Sequence, residues 1–491
     1  ASGNSISLSE SASRGYTFTT QSSVTYDNKF GKHTIGAMFL AETRENKSNA
    51  LSATGYGLDF IQLDELNQIT NKTGNGTEKF PTIGGYSGHT RVAGFVGRVN
   101  YNYKERYMLE ANLRYDGSSR FIGDKRWGLF PSFSLGWNIA REEFFEPLNS
   151  VVGTLKLRGS WGQLGNNETD AWYPFFQTMP TGTTNSGWLL NGVRQNTAGT
   201  PGIVSSLLTW ETVESWNVGV DFGLFNNRLT GSFDYYQRYT YDMVGPAPTL
   251  PGILGTSAPA INNADMKSYG WEMELSWRDR INEFNYGVRF TLADGQREVT
   301  KYPNESGDIN TWYAGKLDGT IWGYTTVGIA QTQEEMDAHL AKNKPNWGSK
   351  WGAGDIMYAD LNGDGEVTSG SSTLGDHGDL TVIGNSYARY NFGLTLDGSW
   401  KGLDFSVFLQ GVMKRDYWLS GPYFWGASGD EWQSLPASLN IWITGHRIIR
   451  MHTIRNLISV VSPKNQPGSD RIFAECCIPA CKERSDWLYF A

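Results

Sequence analysis

VAGFVGRVNYNYKERYMLEANLRYDGSSRFIGDKRWGLFPSFSLGWNIA, residues 92–140, alternates apolar and polar side chains through three successive segments. Val99, Tyr101 and Tyr103, then Tyr107, Leu109, Ala111, Leu113 and Tyr115, then Phe133, Leu135, Trp137 and Ile139 make one face. Arg98, Asn100 and Asn102, then Glu110, Asn112, Arg114 and Asp116, then Ser132, Ser134 and Asn138 make the other. Alternation of this kind predicts strands with two unlike faces. The first two segments are joined only by Lys104, Glu105 and Arg106, whereas the second and third are separated by a polar, glycine-containing loop, 117–131. Short turns alternating with long loops, on strands of about ten residues, are the pattern of an outer-membrane barrel rather than of a sandwich with similar turns at both ends.

Composition is compatible with that reading. Apolar content is 39% of 491 residues, and mean hydropathy is -0.43. A barrel presents only every second residue to lipid, so average polarity does not argue against it. No run of about 18 apolar residues occurs, which excludes a helical span. Aromatics at 14% and 58 glycines suit girdled strands and irregular loops, and a net charge of -8 argues against a nucleic-acid footprint. The opening ASGNSISLSE has neither a basic nor an apolar leader region, so any export signal is expected to be removed or to lie outside this piece. Cysteine is absent before Cys476, as in an exported protein that does not rely on disulfides.

The same period returns along the chain. Residues 16–44 read as a hairpin turned at 28–32, followed by a polar loop from Thr43 to about Thr90. A connection at 141–153 carries a candidate helical turn, and Leu155, Leu157, Gly159 and Trp161 resume the alternation. Long loops are expected at 165–208, 245–265 and 296–385, and tight polar turns at 226–228 and 401–402. In the largest excursion, Thr332 and Glu335 stand at capping-box spacing before a short helix. About twelve strands with short and long connections strictly alternating predict an up-and-down antiparallel meander.

RVNYNYKERYMLEANLRYDGSSRF, RWGLFPSFSLGWNIAREEFF, LKLRGSWGQLGN, GDIMYADLNGDGEVT and YNFGLTLDGSWKGLDFSVFLQGV together resemble the SusC/RagA family of TonB-linked outer-membrane transporters of Bacteroidetes, over nearly all of 15–440. The resemblance implies an all-β transmembrane barrel of about 22 strands with a plugged lumen. It further implies energisation through TonB, a SusD-like lipoprotein that caps the barrel outside, and an oligosaccharide or peptide cargo. TonB box, plug domain and early strands have no counterpart in this sequence. The resemblance therefore makes residues 1–440 the C-terminal part of a barrel in the cell outer membrane, an unclosed sheet if taken alone.

Residues 441–491 fit no strand pattern. Read from the third base of each codon, Ile441 to Ser459 is compatible with LDYWTPDNPDAYYPKPYF; read from the second base, Ile472 to Ala491 is compatible with YLQNAAYLRVKNVQIGYTL. Both strings look like the family's continuation, so the tail is expected to be frame-shifted, with at least two frame errors. Cys476, Cys477 and Cys481 lie in it as CCIPAC, and no partner CxxC or His pair stands at zinc-ligand spacing.

Asp360, Asn362, Asp364 and Gly365, with Glu366 following, match the start of a calcium loop, in which alternate oxygens face one ion and glycine permits the sharp turn. The twelfth position is Ser371 where a bidentate Glu is wanted, with Asp376 or Asp379 as substitutes; the competing reading is an Asx-rich turn held by its own backbone. Trp172, Tyr173, Trp188, Trp312, Trp347, Trp351 and Trp425 are the loop aromatics able to stack on sugar rings. Packing within loop cores is the alternative for each. Trp137, Trp216, Trp271 and Trp277 read as girdle residues. Arg98, Glu110, Arg114, Asp116, Arg158 and Glu272 fall on the polar face, where ion pairs are expected. No carboxylate shares a motif with a base or nucleophile, so no enzyme is read here. The rival readings are a secreted all-β glycan-binding or glycan-cleaving protein, whose apolar face would be buried against a second sheet, and a nonfunctional transporter gene fragment.

Overall fold

The computed structural model describes residues 6–418, apart from 59–64, 73–75, 170, 180, 184–188, 192, 206, 248–257 and 349–350, together with 473–475. Twelve strands form one sheet in which sequence neighbours are sheet neighbours throughout. They are β1 (Ser7–Phe30), β2 (His33–Tyr56), β3 (Thr82–Tyr103), β4 (Tyr107–Ser118), β5 (Trp127–Asn138) and β6 (Val152–Asn166). The remainder are β7 (Glu211–Leu224), β8 (Leu229–Gly245), β9 (Ile261–Ile281), β10 (Phe284–Lys301), β11 (Arg389–Trp400) and β12 (Leu403–Lys414). This is the meander that the alternation predicts.

The tight turns form as their residues allow. Lys104 and Glu105, Phe225 to Asn227, and Lys401 with Gly402 all take positive φ, the twist that lets a short loop join two antiparallel strands. Strict alternation of short and long links fails once. The β4–β5 link at 119–126 is shorter than the β5–β6 link at 139–151, whose extra residues wind into 3-10 turns at Ile139–Arg141 and Glu143–Leu148.

A second correction concerns the polar loop read from Thr43 to Thr90. β2 runs on to Tyr56 and β3 already starts at Thr82, with unbroken register from His33↔Tyr103 to Thr54↔Thr82. The strands continue there without apolar alternation, because past the apolar band neither face meets acyl chains and nothing selects apolar side chains at every second position.

Two compact units share the chain: 1–135 with 161–213 and 244–262, and 136–160 with 214–243 and 263–491. In the first, Phe121, Phe130, Leu208 and Trp210 form a small buried cluster, and the Trp210 indole N–H donates to the Arg126 carbonyl at 3.1 Å. In the second, the excursion between β10 and β11 is a folded body rather than a loop. Short strands Thr320–Tyr324 and Leu380–Asn385 pair, as do Thr326–Ile329 and Ile356–Tyr358. Tyr324, Ile356, Tyr358 and Val367 form one core there, and Ala330, Met336 and Met357 a second. Helix α1 (Gln333–Leu340) starts where the capping spacing predicts: the Thr332 hydroxyl accepts from the Glu335 N–H at 3.2 Å.

The apolar face of the sheet is not covered. Leu109, Leu113, Phe133, Leu135, Val218 and Phe405 are between 42% and 62% exposed. A sandwich would have buried these side chains against a second layer, so the secreted all-β reading is not met.

Candidate functional site

Side chains directly opposite one another in register share a face. On the apolar face of the first unit, aromatic rings collect at two levels. Near the turns, His33, Tyr101 and Tyr103 cluster and Tyr103 stacks on Tyr107 at 6.4 Å. Further up, Phe39 stacks on Phe95, Phe95 on Trp127, and Trp127 on Tyr115. Within the second unit Phe284 stacks on Phe405 and Phe233 on Trp271, and the Trp137 indole N–H donates to Glu142 at 3.0 Å. Two aromatic levels bounding an exposed apolar band are what a bilayer selects, since amphipathic rings settle at its interfaces.

The opposite face is polar and self-paired. Arg158 lies between Asp221 and Asp234, donating to the first at 3.0 Å and the second at 2.6 Å. Arg114 pairs with Asp116 and reaches Glu42 at 3.7 Å; Arg98 donates to Asn112, which donates to Glu110. Of the charges expected to pair, Arg114, Asp116 and Arg158 do so, Arg98 and Glu110 meet only through Asn112, and Arg158 finds partners that no sequence motif marked. Because its three side chains stay partly solvated, we expect Arg158→Met to lower stability by only about 1–2 kcal/mol. Arg158→Lys should recover less than half of that, a lysine being unable to fork between two carboxylates; urea titration of the refolded protein measures both.

The same face holds a cavity of about 360 Å³ lined by Ser160, Asn217, Tyr236, Arg238, Arg297 and Tyr387 among others. Gly270 and Gly295 are register partners, and a Cβ on either would meet the Tyr236 hydroxyl at 2.7 or 2.9 Å. The two glycines let this phenol lie across the backbone. Sequence reasoning missed the cavity, since only register shows that two glycines 25 positions apart face each other.

The sequence-predicted loop aromatics separate into classes. Trp172 packs on β3 at Gly88, and the Tyr173 hydroxyl donates to the His89 carbonyl at 2.6 Å. Trp347 and Trp351 pack against the excursion cores around Tyr358. Trp312 stays 37% exposed beside Tyr302, and Tyr173 is equally exposed. Trp188 and Trp425 lie outside the described residues.

In the calcium-like loop, the Asp360 carboxylate accepts from the Gly363 N–H at 2.6 Å and the Gly365 N–H at 2.8 Å. Asn362 accepts from Asp364 N–H and Asp364 from Glu366 N–H, each two residues on. Donation from Gly365 leads the contacts that hold the Asp360 carboxyl below the usual carboxylate range. Asp376 accepts from Ser371 and Asp379 from backbone N–H groups. Among the described residues, no group of three or more acidic, His or Cys side chains is disposed to hold a metal ion.

His339 on α1 is set against Asn343, and burial pushes its pKa below 6.5. An unfolded histidine protonates near pH 6.5 while this one stays neutral, so the unfolded state binds the extra proton. Excursion stability is therefore expected to fall as pH drops from 6.5 towards the folded pKa, with His339→Gln flattening the profile in hydrogen-exchange measurements.

Residues 2–427 match the family described as TonB dependent receptor-like, beta-barrel. The chain belongs to this family. TonB-dependent receptors of this kind are outer-membrane transporters rather than enzymes, so the exposed apolar band faces lipid and the paired polar face lines the lumen. The TonB-dependent receptor SusC of Bacteroides thetaiotaomicron is 28% identical over 340 residues, which is 67% of this chain and 32% of that protein. The TonB-dependent receptor P26 of Formosa agariphila is 26% identical over 411 residues, 81% of this chain and 39% of its own length. The chain thus spans well under half of these curated relatives. In fold, it matches the structure of the RagAB peptide transporter with a TM-score of 0.71 at 20% identity, over 95% of this chain and 48% of that one. The SusC/RagA likeness read from the motifs stands.

Proposed function

We propose that this chain is the C-terminal part of the barrel of a transporter that imports oligosaccharides or peptides across the outer membrane. TonB would supply the energy through a region outside this chain, and a SusD-like surface lipoprotein would present the cargo. The observation that carries the reading is the division of the sheet into an exposed apolar face between aromatic levels and a polar face of paired charges. The SusC-named relative favours a glycan, and the RagAB-like fold is equally compatible with a peptide. The lumen cavity beside Tyr236, Arg238 and Arg297 is the part of the wall best suited to touch cargo. Calcium at Asp360, Asn362, Asp364 and Glu366 is a further proposal, tested by whether millimolar calcium raises the unfolding midpoint of wild type but not of Asp360→Asn.

The frame-shift proposal for 441–491 is tested by resequencing the locus: an intact frame encoding the given residues refutes it. Cargo class is tested by the neighbouring genes and by uptake. A SusD-like lipoprotein gene beside glycoside hydrolases, with loss of growth on one glycan when the transporter is deleted, supports glycan import; the same beside peptidases supports peptide import. Unchanged growth on every such substrate refutes the proposal.

A further inference from the structure

Register on the outward face of β1–β4 can be followed row by row from the turns. Phe30, His33, Tyr103 and Tyr107 stand in the first row, and Ser22, Ala41, Phe95 and Tyr115 in the fifth. Above the small residues Thr20, Thr43, Ala93 and Gly117, the chemistry of this face changes abruptly. Glu45 stands between Phe18 and Arg91, Lys47 between Tyr16 and His89, and Asn49 between Arg14 and Ser87. The basic groups Arg14, Lys47, His89 and Arg91 therefore share three rows with a single carboxylate. Glu45 already accepts from His89 at 2.7 Å and from Arg91 at 3.4 Å; the next carboxylate on this face, Glu10, lies two rows beyond Arg14. Lys47 and Arg14 make no ion pair among the described residues, and the Arg91 side chain is 66% exposed.

The depth of these rows is set by strand geometry. From His33 to Glu45 the strand climbs about 40 Å at ~3.3 Å per residue, or roughly 30 Å along the membrane normal at a tilt near 40°. That places the basic rows just past the apolar band of about 25 Å, at headgroup level in the outer leaflet. An open depression of about 470 Å³ sits there, lined by Phe18, Thr43, Glu45, Arg91, Arg126 and Trp127 among others. Below it lies the stacked girdle of Phe39, Phe95, Tyr115 and Trp127.

We propose that this patch binds the phosphorylated headgroup of an outer-leaflet glycolipid. A guanidinium and an ammonium at this depth match a phosphate ester in charge and hydrogen bonding. The girdle below offers the acyl chains an apolar wall, and the depression admits a sugar between Phe18 and Trp127. A freely diffusing substrate would have no reason to meet such a site on the lipid side of the wall, which makes the site independent of the cargo.

The test uses the full-length transporter purified from outer membranes in mild detergent. Native mass spectrometry is expected to find a retained phosphorylated glycolipid. After delipidation, monophosphoryl lipid A should bind about tenfold more tightly to wild type than to the Lys47→Gln/Arg91→Gln double variant. Arg98→Gln, which removes a lumen-facing charge, should bind like wild type, and the unfolding midpoints of all three proteins should agree. Equal binding by the double variant and wild type overturns the proposal. So does competition by millimolar inorganic phosphate that displaces the lipid completely, since that would mark a free-anion site.

Discussion

Arginine at Leu113 is expected to weaken the folded barrel by about 2–4 kcal/mol, whereas arginine at Asn100 changes stability by less than about 0.5 kcal/mol. Leu113 lies opposite Gly97, level with Phe39, six residues above the His33 row and so about 15 Å into an apolar band of about 25 Å, and is 49% exposed. A cation there must sit near the bilayer midplane with no polar partner within reach. Asn100 lies opposite Glu110 on the other face, where an added guanidinium gains a carboxylate and meets water. Refolding into lipid vesicles, followed by urea titration and by the heat-modifiable gel shift of folded barrels, measures both. Equal tolerance of the two substitutions would mean that the faces have been assigned wrongly. The wall would then not be membrane-facing where the alternation places it.

Asp379→Ala is expected to cost about 3–5 kcal/mol, confined to the excursion between β10 and β11. This carboxylate is fully buried and accepts from the N–H groups of Leu361 at 2.6 Å, Asn362 at 3.3 Å and Thr368 at 2.8 Å. It ties the start of the calcium-like turn, at Leu361 and Asn362, to Thr368 just past its end. Removing it takes the acceptor from three N–H donors at once, so the loss exceeds that of one hydrogen bond. Asp379→Asn, with one acceptor oxygen remaining, should lose roughly half as much. Hydrogen exchange on the full-length protein should show faster exchange across 302–388 and unchanged protection in β1–β6. Unchanged exchange in the excursion would show that Asp379 does not organise it.

How far each element could be read beforehand follows from its surroundings. β4, β5 and β12 lie between lipid and lumen, and the contrast between the two media wrote itself into Leu109, Leu113, Phe133, Leu135 and Phe405. Past the apolar band that contrast vanishes, so the upper halves of β2 and β3 read as loop in sequence, although their register is continuous from Lys47↔His89 to Thr54↔Thr82. In sequence the excursion reads as a loop with one helix, because its core is small and drawn from distant residues. Tyr324, Ile356 and Val367 become neighbours only after folding. Trp347 and Trp351 were candidate sugar platforms for the same reason: an aromatic in a polar stretch carries no mark telling whether it faces a ligand or its own core.

Sequence alone determined the antiparallel meander, its number of strands, the two-faced wall and the family motifs, because each of these rests on near neighbours along the chain and on the solvent each face meets. Tertiary structure decided which charges meet on the lumen side, as in Arg158 between Asp221 and Asp234, and that Asp379 serves as an internal fastener. It also decided that Arg14, Lys47, His89 and Arg91 gather in three successive rows on the outward face. Those outcomes depend on register between strands and on loop closure, which join residues far apart in sequence and leave no periodic trace in it.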